Sequence, residues 1–397
     1  MNTAFRFRLS LLVVSLAALT ACELDFTSDD DDEQNNWHSL GEVPAPASTE
    51  LNHTPMLVVD DTAFVGTGDG IWQREISRSD DWEQVDDLDG VEILALRQHP
   101  TNPDILFAAG LPIDDPGSAP FYRSEDGGVT WEPSTEWPRS ALEPSLETFF
   151  DFVIAPDDPD RLYANLSGAS IAISTDGGLT WTLANGEPEV FFGDPCVLHI
   201  LPAQPDTLYQ GCEAPLDNAW VATYDIDPED PLNLPNFTFV AGGPDFALEN
   251  RRPNSLTSGP ARPDTVYAGL EGMLIALEGT ALESVFAVSQ NGSDDLPYAY
   301  IRAIWLDPDD AEHLIFGGGI NGVDTELSLF ETDDHGANIE QLTGPDDDLS
   351  DPTVEQIVPI EDDELAVLIS EDDDPSDTDT ERTLRVYVFD PNGDPFN

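Results

Sequence analysis

The stretch Ser124-Glu125-Asp126-Gly127-Gly128-Val129-Thr130-Trp131 returns as Ser174-Thr175-Asp176-Gly177-Gly178-Leu179-Thr180-Trp181, and an eroded third copy reads Thr332-Asp333-Asp334-His335-Gly336-Ala337-Asn338-Ile339. Each copy follows an apolar, strand-like run. Repetition at a period of about 50 residues marks one supersecondary unit copied around an array, because a single unit cannot bury its own apolar face. The residues suit a tight hairpin. Asp126 and Asp176 accept hydrogen bonds from backbone N–H groups a few residues on. The paired glycines supply positive φ without steric cost. Trp131 and Trp181 then open the next strand and bring a large ring to pack between neighbouring sheets.

A second marker stands upstream of each box. It is a Pro/Asp turn followed by a short apolar strand ending in small residues. Clear copies end their turns at Asp104, Asp160, Asp206, Asp264 and Glu312, and looser ones lie at Asp61 and Asp363. Proline and aspartate punctuate the turn, and Leu, Val, Tyr and Phe fill the strand. Seven markers, about 43 to 58 residues apart, fit seven four-stranded units.

The pattern Ser/Thr-x-Asp-x-Gly-x-x-Trp resembles the Asp-box, or BNR, repeat of β-propellers. The resemblance implies an all-β, seven-bladed β-propeller of four-stranded antiparallel blades. It also implies that Ser124, Asp126, Gly128, Trp131, Ser174, Asp176, Gly178, Trp181, Thr332, Asp334 and Gly336 are structural, at the blade periphery and away from a ligand face. The blades are expected over about 51–90, 91–144, 145–194, 195–248, 249–297, 298–350 and 351–393. The last unit is one strand short. Trp37-His38-Ser39-Leu40 resembles the outer strand beginning at Trp181, so residues 37–42 are expected to complete blade seven and close the ring.

Residues 1–22 read as an export signal: Arg6 and Arg8 precede the apolar run Leu9–Leu19, which is too short for a permanent membrane span. Leu19-Thr20-Ala21-Cys22 resembles a lipobox, which implies lipidation of Cys22 and several acyl chains for stable anchoring. Residues 23–36 are too acidic and too poor in apolar surface to fold, and read as a tether. Residues 37–397 form the propeller. The expected location is the cell envelope, lipid-anchored, with the outer membrane preferred because Glu23 follows the cysteine.

The net charge is −66, from 80 acidic and 14 basic residues. No lysine is present. Acids spread over nearly every blade resemble a surface adapted to high salt, where screening relieves self-repulsion. The alternative is loosely held divalent cations; no ligand-spaced metal loop is present and no cofactor is expected. Nucleic-acid binding is excluded for want of a basic face. A monomer is expected.

Cys196 and Cys212 lie in two strands that should be antiparallel neighbours. Export permits a disulfide between them, worth about 3 kcal/mol in the chain-entropy model. Buried free thiols are the alternative.

The resemblance extends to sialidases and xyloglucan-cleaving glycosidases on one side, and to sortilin-type receptors and photosystem-assembly factors on the other. A sialidase implies an arginine cluster, for which Arg251, Arg252 and Arg302 stand nearest the starts of inner strands, but the family's Arg-Ile-Pro motif is absent. Glycosidases need two carboxylates at a set separation, and 80 acids offer no sequence-level choice among pairs. No catalytic residue is therefore assigned. The expected function is an exported, membrane-tethered, non-catalytic propeller that binds a protein or glycan; the alternative is a glycoside hydrolase using carboxylates on the central face. Trp137, Arg139, Trp220, Arg251 and Arg252 are the candidate binding face, since aromatic and arginine side chains dominate binding hot spots.

Overall fold

The computed structural model describes residues 36–47, 54–78, 81–113, 120–138, 149–166, 170–184, 196–214, 218–234, 237–242, 252–279, 281–287, 299–320, 327–345, 349–360, 364–372 and 382–391. Cys22, the acidic run 29–32, Arg139 and Arg251 lie outside them.

Short runs rich in Val, Ile, Leu, Phe and Tyr, cut by Pro/Asp turns and Gly-Gly pairs, form the strands. The first, β1 (Trp37–Val43), stands apart from its neighbours in sequence. Blade one holds β2 (Met56–Val59), β3 (Thr62–Thr67), β4 (Gly70–Glu75) and β5 (Glu83–Gln84). Blade two holds β6 (Val91–Gln98), β7 (Leu106–Pro112), β8 (Phe121–Ser124) and β9 (Glu132–Pro133). Blade three holds β10 (Phe149–Ile154), β11 (Leu162–Leu166), β12 (Ile171–Ser174) and β13 (Thr182–Leu183). Blade four holds β14 (Cys196–Ile200), β15 (Thr207–Ala214), β16 (Asn218–Asp225) and β17 (Thr238–Gly242). Blade five holds β18 (Pro253–Thr257), β19 (Val266–Leu270), β20 (Met273–Glu278) and β21 (Ala281–Ala287). Blade six holds β22 (Ala299–Leu306), β23 (Leu314–Ile320), β24 (Ser328–Thr332) and β25 (Glu340–Gln341). Blade seven holds β26 (Thr353–Pro359), β27 (Leu365–Glu371) and β28 (Thr383–Phe389), with β1 as its fourth strand.

Every sheet is antiparallel and runs from the ring axis outward in chain order, except that β1 lies outside β28. The first strands β2, β6, β10, β14, β18, β22 and β26 each touch the next, and β26 touches β2, so the circle closes. The fold is a seven-bladed β-propeller. Its core lies between blades. Phe107 and Phe121 of blade two meet Phe149, Phe152 and Trp181 of blade three, and the Trp181 ring stands 4.8 Å from Phe121 and 4.9 Å from Phe149. Trp131 likewise joins Phe64 and Ile71 of blade one.

Each Asp-box spans the turn between the third and fourth strands. In the first, the Asp126 carboxylate accepts the Thr130 N–H at 2.8 Å and the Thr130 hydroxyl at 2.7 Å. These donors, the backbone N–H foremost, hold the Asp126 carboxyl below its ordinary value. Ser124 Oγ accepts the Gly128 N–H at 2.9 Å, and Trp131 Nε1–H donates to the Gly128 carbonyl at 3.0 Å. The second box repeats these bonds through Ser174, Asp176, Gly178, Thr180 and Trp181. In the third, Thr332 and Asp334 keep the same roles, with Asn338 in place of the threonine.

The two markers found in the sequence meet in space. The Gly127 N–H donates to the Asp104 carbonyl, the Gly177 N–H to that of Asp160, and the His335 N–H to that of Glu312, at 2.8, 2.8 and 2.9 Å. Box and Pro/Asp turn are thus the two halves of one clasp on one rim of the blade. The clasp also docks on the preceding blade. A Cβ at Gly128 would lie 2.7 Å from the Phe64 ring of blade one.

Closure is made by β1. Trp37 pairs with Phe389, and Val43 with Leu384. The Trp37 ring lies 4.5 Å from Phe389, and its Nε1–H donates to the Thr343 carbonyl of the neighbouring blade at 2.9 Å. Leu40 and Val43 face the other way, into the cluster shared with blade one. Cys196 and Cys212 pair directly across β14 and β15 and are joined by a disulfide, with Cα atoms 4.4 Å apart.

Two outcomes are expected. Trp37→Ala lowers unfolding free energy by about 3–5 kcal/mol, and removal of residues up to Val43 lowers it further by baring the edge of β28; urea denaturation measures both. Gly127 and Gly128 both have positive φ, 72° and 92°, but only Gly128 faces a ring. Gly127→Ala costs about 1–3 kcal/mol of backbone strain, and Gly128→Ala adds an overpacking cost of about 1–3 kcal/mol. Equal losses would refute docking of the box on Phe64.

Candidate functional site: the central channel

Five of the seven first strands carry a register shift against their second strand, between Ile93 and Ala95, Phe149 and Asp151, Pro253 and Ser255, Ile301 and Ala303, and Val354 and Gln356. The extra residues are Leu94, Phe150, Asn254, Arg302 and Glu355. A bulge bends its strand and re-aims side chains. Here the bulges sit where seven strands converge, and three of the five extra residues are polar. Small residues on the second strand make room: a Cβ at Gly318 would fall 1.4 Å from the Tyr300 carbonyl oxygen.

The result is a cavity of about 320 Å3 on the axis, lined from six of the first strands. Arg97 of β6 reaches Asp151 of β10 at 2.9 Å. The second Asp151 oxygen accepts the Leu198 N–H of β14 at 2.8 Å, so one carboxylate joins three blades. Burial pushes the Asp151 carboxyl above its ordinary value, against the opposing pull of Arg97 and two backbone N–H groups. On the far side of the ring, Arg302 Nη1 donates to both oxygens of Glu355 at 3.0 and 3.1 Å. Glu355 also accepts the Ser370 hydroxyl at 2.5 Å and the Thr54 N–H of blade one at 3.2 Å. Between the two ion pairs, Asn254, Ser255, Thr257 and Gln356 give the wall neutral hydrogen-bonding groups.

His199 also lines the cavity, with Nε2 2.9 Å from Ser258 Oγ. Burial, with Arg97 nearby, pulls its imidazole down to about 4, so it is neutral at pH 7.

The sequence-derived candidates fall differently. Arg302 is on the channel wall, and Arg252 stands at the head of β18 beside the lining residue Asn254. Trp220 does not face a ligand surface. It is 2 % exposed, enclosed by the Cys196–Cys212 bridge, Phe237 and Phe239. Trp137 packs against the core between blades two and three, next to Glu136, which pairs with Thr180 of the second Asp-box. It is therefore on the clasp side, away from the channel. Arg97, Asp151, His199, Asn254 and Glu355 were not singled out from sequence. The available signal was a polar residue breaking an apolar first strand, as in Phe149-Phe150-Asp151-Phe152-Val153 and Val354-Glu355-Gln356-Ile357-Val358.

A BNR/Asp-box repeat is matched at residues 172–183. No curated protein matches the chain by sequence. Among solved structures, the chain is similar to a GH74 enzyme of Niastella koreensis, with 15% identity and a TM-score of 0.60, over 85% of this chain and 54% of that one. It is similar also to YCF48 from Cyanidioschyzon merolae, with 13% identity and a TM-score of 0.56, over 90% of this chain and 99% of that one. A structure of YCF48 bound to D1 peptide matches with 13% identity and a TM-score of 0.53, over 90% and 98%. The chain spans about half the length of the GH74 enzyme. At these identities the likeness is one of fold.

The channel histidine sets a pH dependence. Its folded value lies below the ordinary 6.5, so the unfolded chain takes up the proton first as pH falls, and the associated stability is lost between about pH 6.5 and 4. His199→Gln keeps a hydrogen-bonding group but does not titrate. The advantage of the native protein over this variant should shrink by up to about 3 kcal/mol between pH 7 and pH 4; parallel urea melts that stay a constant distance apart would exclude it. With its clasps and closed ring, the chain is a seven-bladed β-propeller that carries a BNR/Asp-box repeat at residues 172–183.

Proposed function

We propose that this chain is an exported propeller, tethered at the cell envelope through a lipidated Cys22, that binds an extended polypeptide segment at its central channel as a monomer and without catalysis. One observation carries this reading: the charged groups of the channel wall are already matched in pairs. Asp151 is the one carboxylate among the described residues lining the cavity, and it is committed to Arg97 and two backbone N–H groups. Glycoside hydrolysis needs two carboxyl groups free to act on the scissile bond. The wall instead offers neutral donors and acceptors, which suit the repeating N–H and C=O groups of a peptide. The likeness to YCF48, which has been seen with a bound peptide, spans nearly the whole length of both chains and supports the same reading. The likeness to GH74 enzymes spans about half of theirs.

The test is capture from envelope extracts by the full chain, at low and at multimolar salt, with a glycan panel in parallel. Retention of a protein partner at both salt levels is expected, because contacts among neutral groups are not screened. Asn254→Ala combined with Gln356→Ala should lower capture at least tenfold. Release of reducing ends from an oligosaccharide by the native chain, or capture confined to glycans, would overturn the reading.

A further inference from the structure

Blade six differs from the other two blades that carry Asp-boxes. His313 stands just before β23, Glu331 on β24, and Asp333 in the turn of the third box. Three potential ligand atoms, one from each, lie within 4.8 Å of one another. His313 Nε2 is 2.9 Å from Glu331 Oε1 and 3.8 Å from Asp333 Oδ1. That 2.9 Å contact is a hydrogen bond; an ion about 2.1 Å from each atom, the usual length of zinc–nitrogen and zinc–oxygen bonds, would take the place of its proton, which is released to water. Asp333 is 87% exposed and free to swing in.

The imidazole is held from behind. Nδ1–H donates to Asp307 Oδ2 at 2.9 Å. Asp307 is itself fixed, because its other oxygen accepts the N–H groups of Asp309 and Asp310 at 2.8 and 3.1 Å. The Trp305 ring meets the imidazole edge-on at 5.2 Å. A carboxylate on the far nitrogen is the arrangement that orients metal-binding histidines. The clasp does not need these residues. At the corresponding places the first box has Ile105, Arg123 and Glu125, and the second has Arg161, Ile173 and Thr175. Neither set contains an imidazole, yet both boxes form.

We propose that His313, Glu331 and Asp333 bind one divalent transition-metal ion of the zinc class, with Asp307 as a positioning residue. An imidazole with two carboxylates favours zinc over calcium or magnesium, which take oxygen ligands. Three protein ligands leave a coordination position for water or for a donor from a bound partner. The inference is independent of the channel and of the function proposed for it.

The full chain, stripped with a chelator, is titrated calorimetrically with Zn2+ in molar sodium chloride, which screens the remaining acids. One tight equivalent is expected, undisturbed by excess Ca2+ or Mg2+. His313→Gln should weaken it by about 100-fold or more, and Asp307→Asn by about 10- to 100-fold. Asp333→Asn, at an exposed position that leaves the fold intact, should weaken it about tenfold and decides the matter if His313→Gln unfolds. Cobalt in place of zinc should give a visible absorption band that Asp333→Asn alters. Absence of a tight equivalent, unchanged affinity in Asp333→Asn, or equal displacement by calcium would overturn the site.

Discussion

The pairing of β1 with β28 is the contact on which the rest of the molecule depends. Each blade buries its two faces on its neighbours, so the seven sheets hold together only as a circle. A gap would leave the flank of one blade and the edge of another in water. The chain closes that gap with its first described strand, and the closure is more than a row of backbone bonds. Trp37 faces blade six and reaches the Thr343 carbonyl, while Leu40 and Val43 face blade one. One strand therefore seals both seams of the last wedge. The cavity on the axis inherits its shape from that seal, because blade seven supplies Gln356 and Ile357 to its wall.

Much of this plan was legible in the sequence. Turn chemistry is local, and the Asp-Gly-Gly and Pro/Asp signals need no knowledge of distant residues. The incomplete last unit and the strand-like start at Trp37 together implied the closure. What sequence could not supply was the direction of individual side chains. A single added residue on a first strand moves Arg302 and Glu355 relative to the pleat; the polar break in an apolar run marks the position but not the shift in register. Trp220 shows the same difficulty. Beside Glu213 and Pro215 it reads as a loop aromatic, but β16 already begins at Asn218, and the disulfide and two phenylalanines enclose the ring. The three donors of blade six come from a turn, a strand and an eroded box, and only pairing of β23 with β24 brings them together.

The charge distribution separates two regimes. Across the whole sequence 80 acids stand against 14 bases, and repulsion among exposed carboxylates is screened by salt. On the axis, two of the scarce arginines are each bound to one carboxylate from a neighbouring blade. Such pairs do little for stability in themselves, since desolvation offsets the attraction. Their effect is to join adjacent blades at the narrow end of the wedge, where few apolar contacts fit.

The bulges have a consequence for the history of such a protein. They belong to the backbone pairing, and blades two, three, five, six and seven share them although Leu94, Phe150, Asn254, Arg302 and Glu355 have little in common. Where the extra residue lines the cavity, as Asn254 and Arg302 do, a change of side chain leaves the backbone pairing of the ladder in place. A lineage built this way can acquire affinity for new molecules one codon at a time while its architecture stays constant.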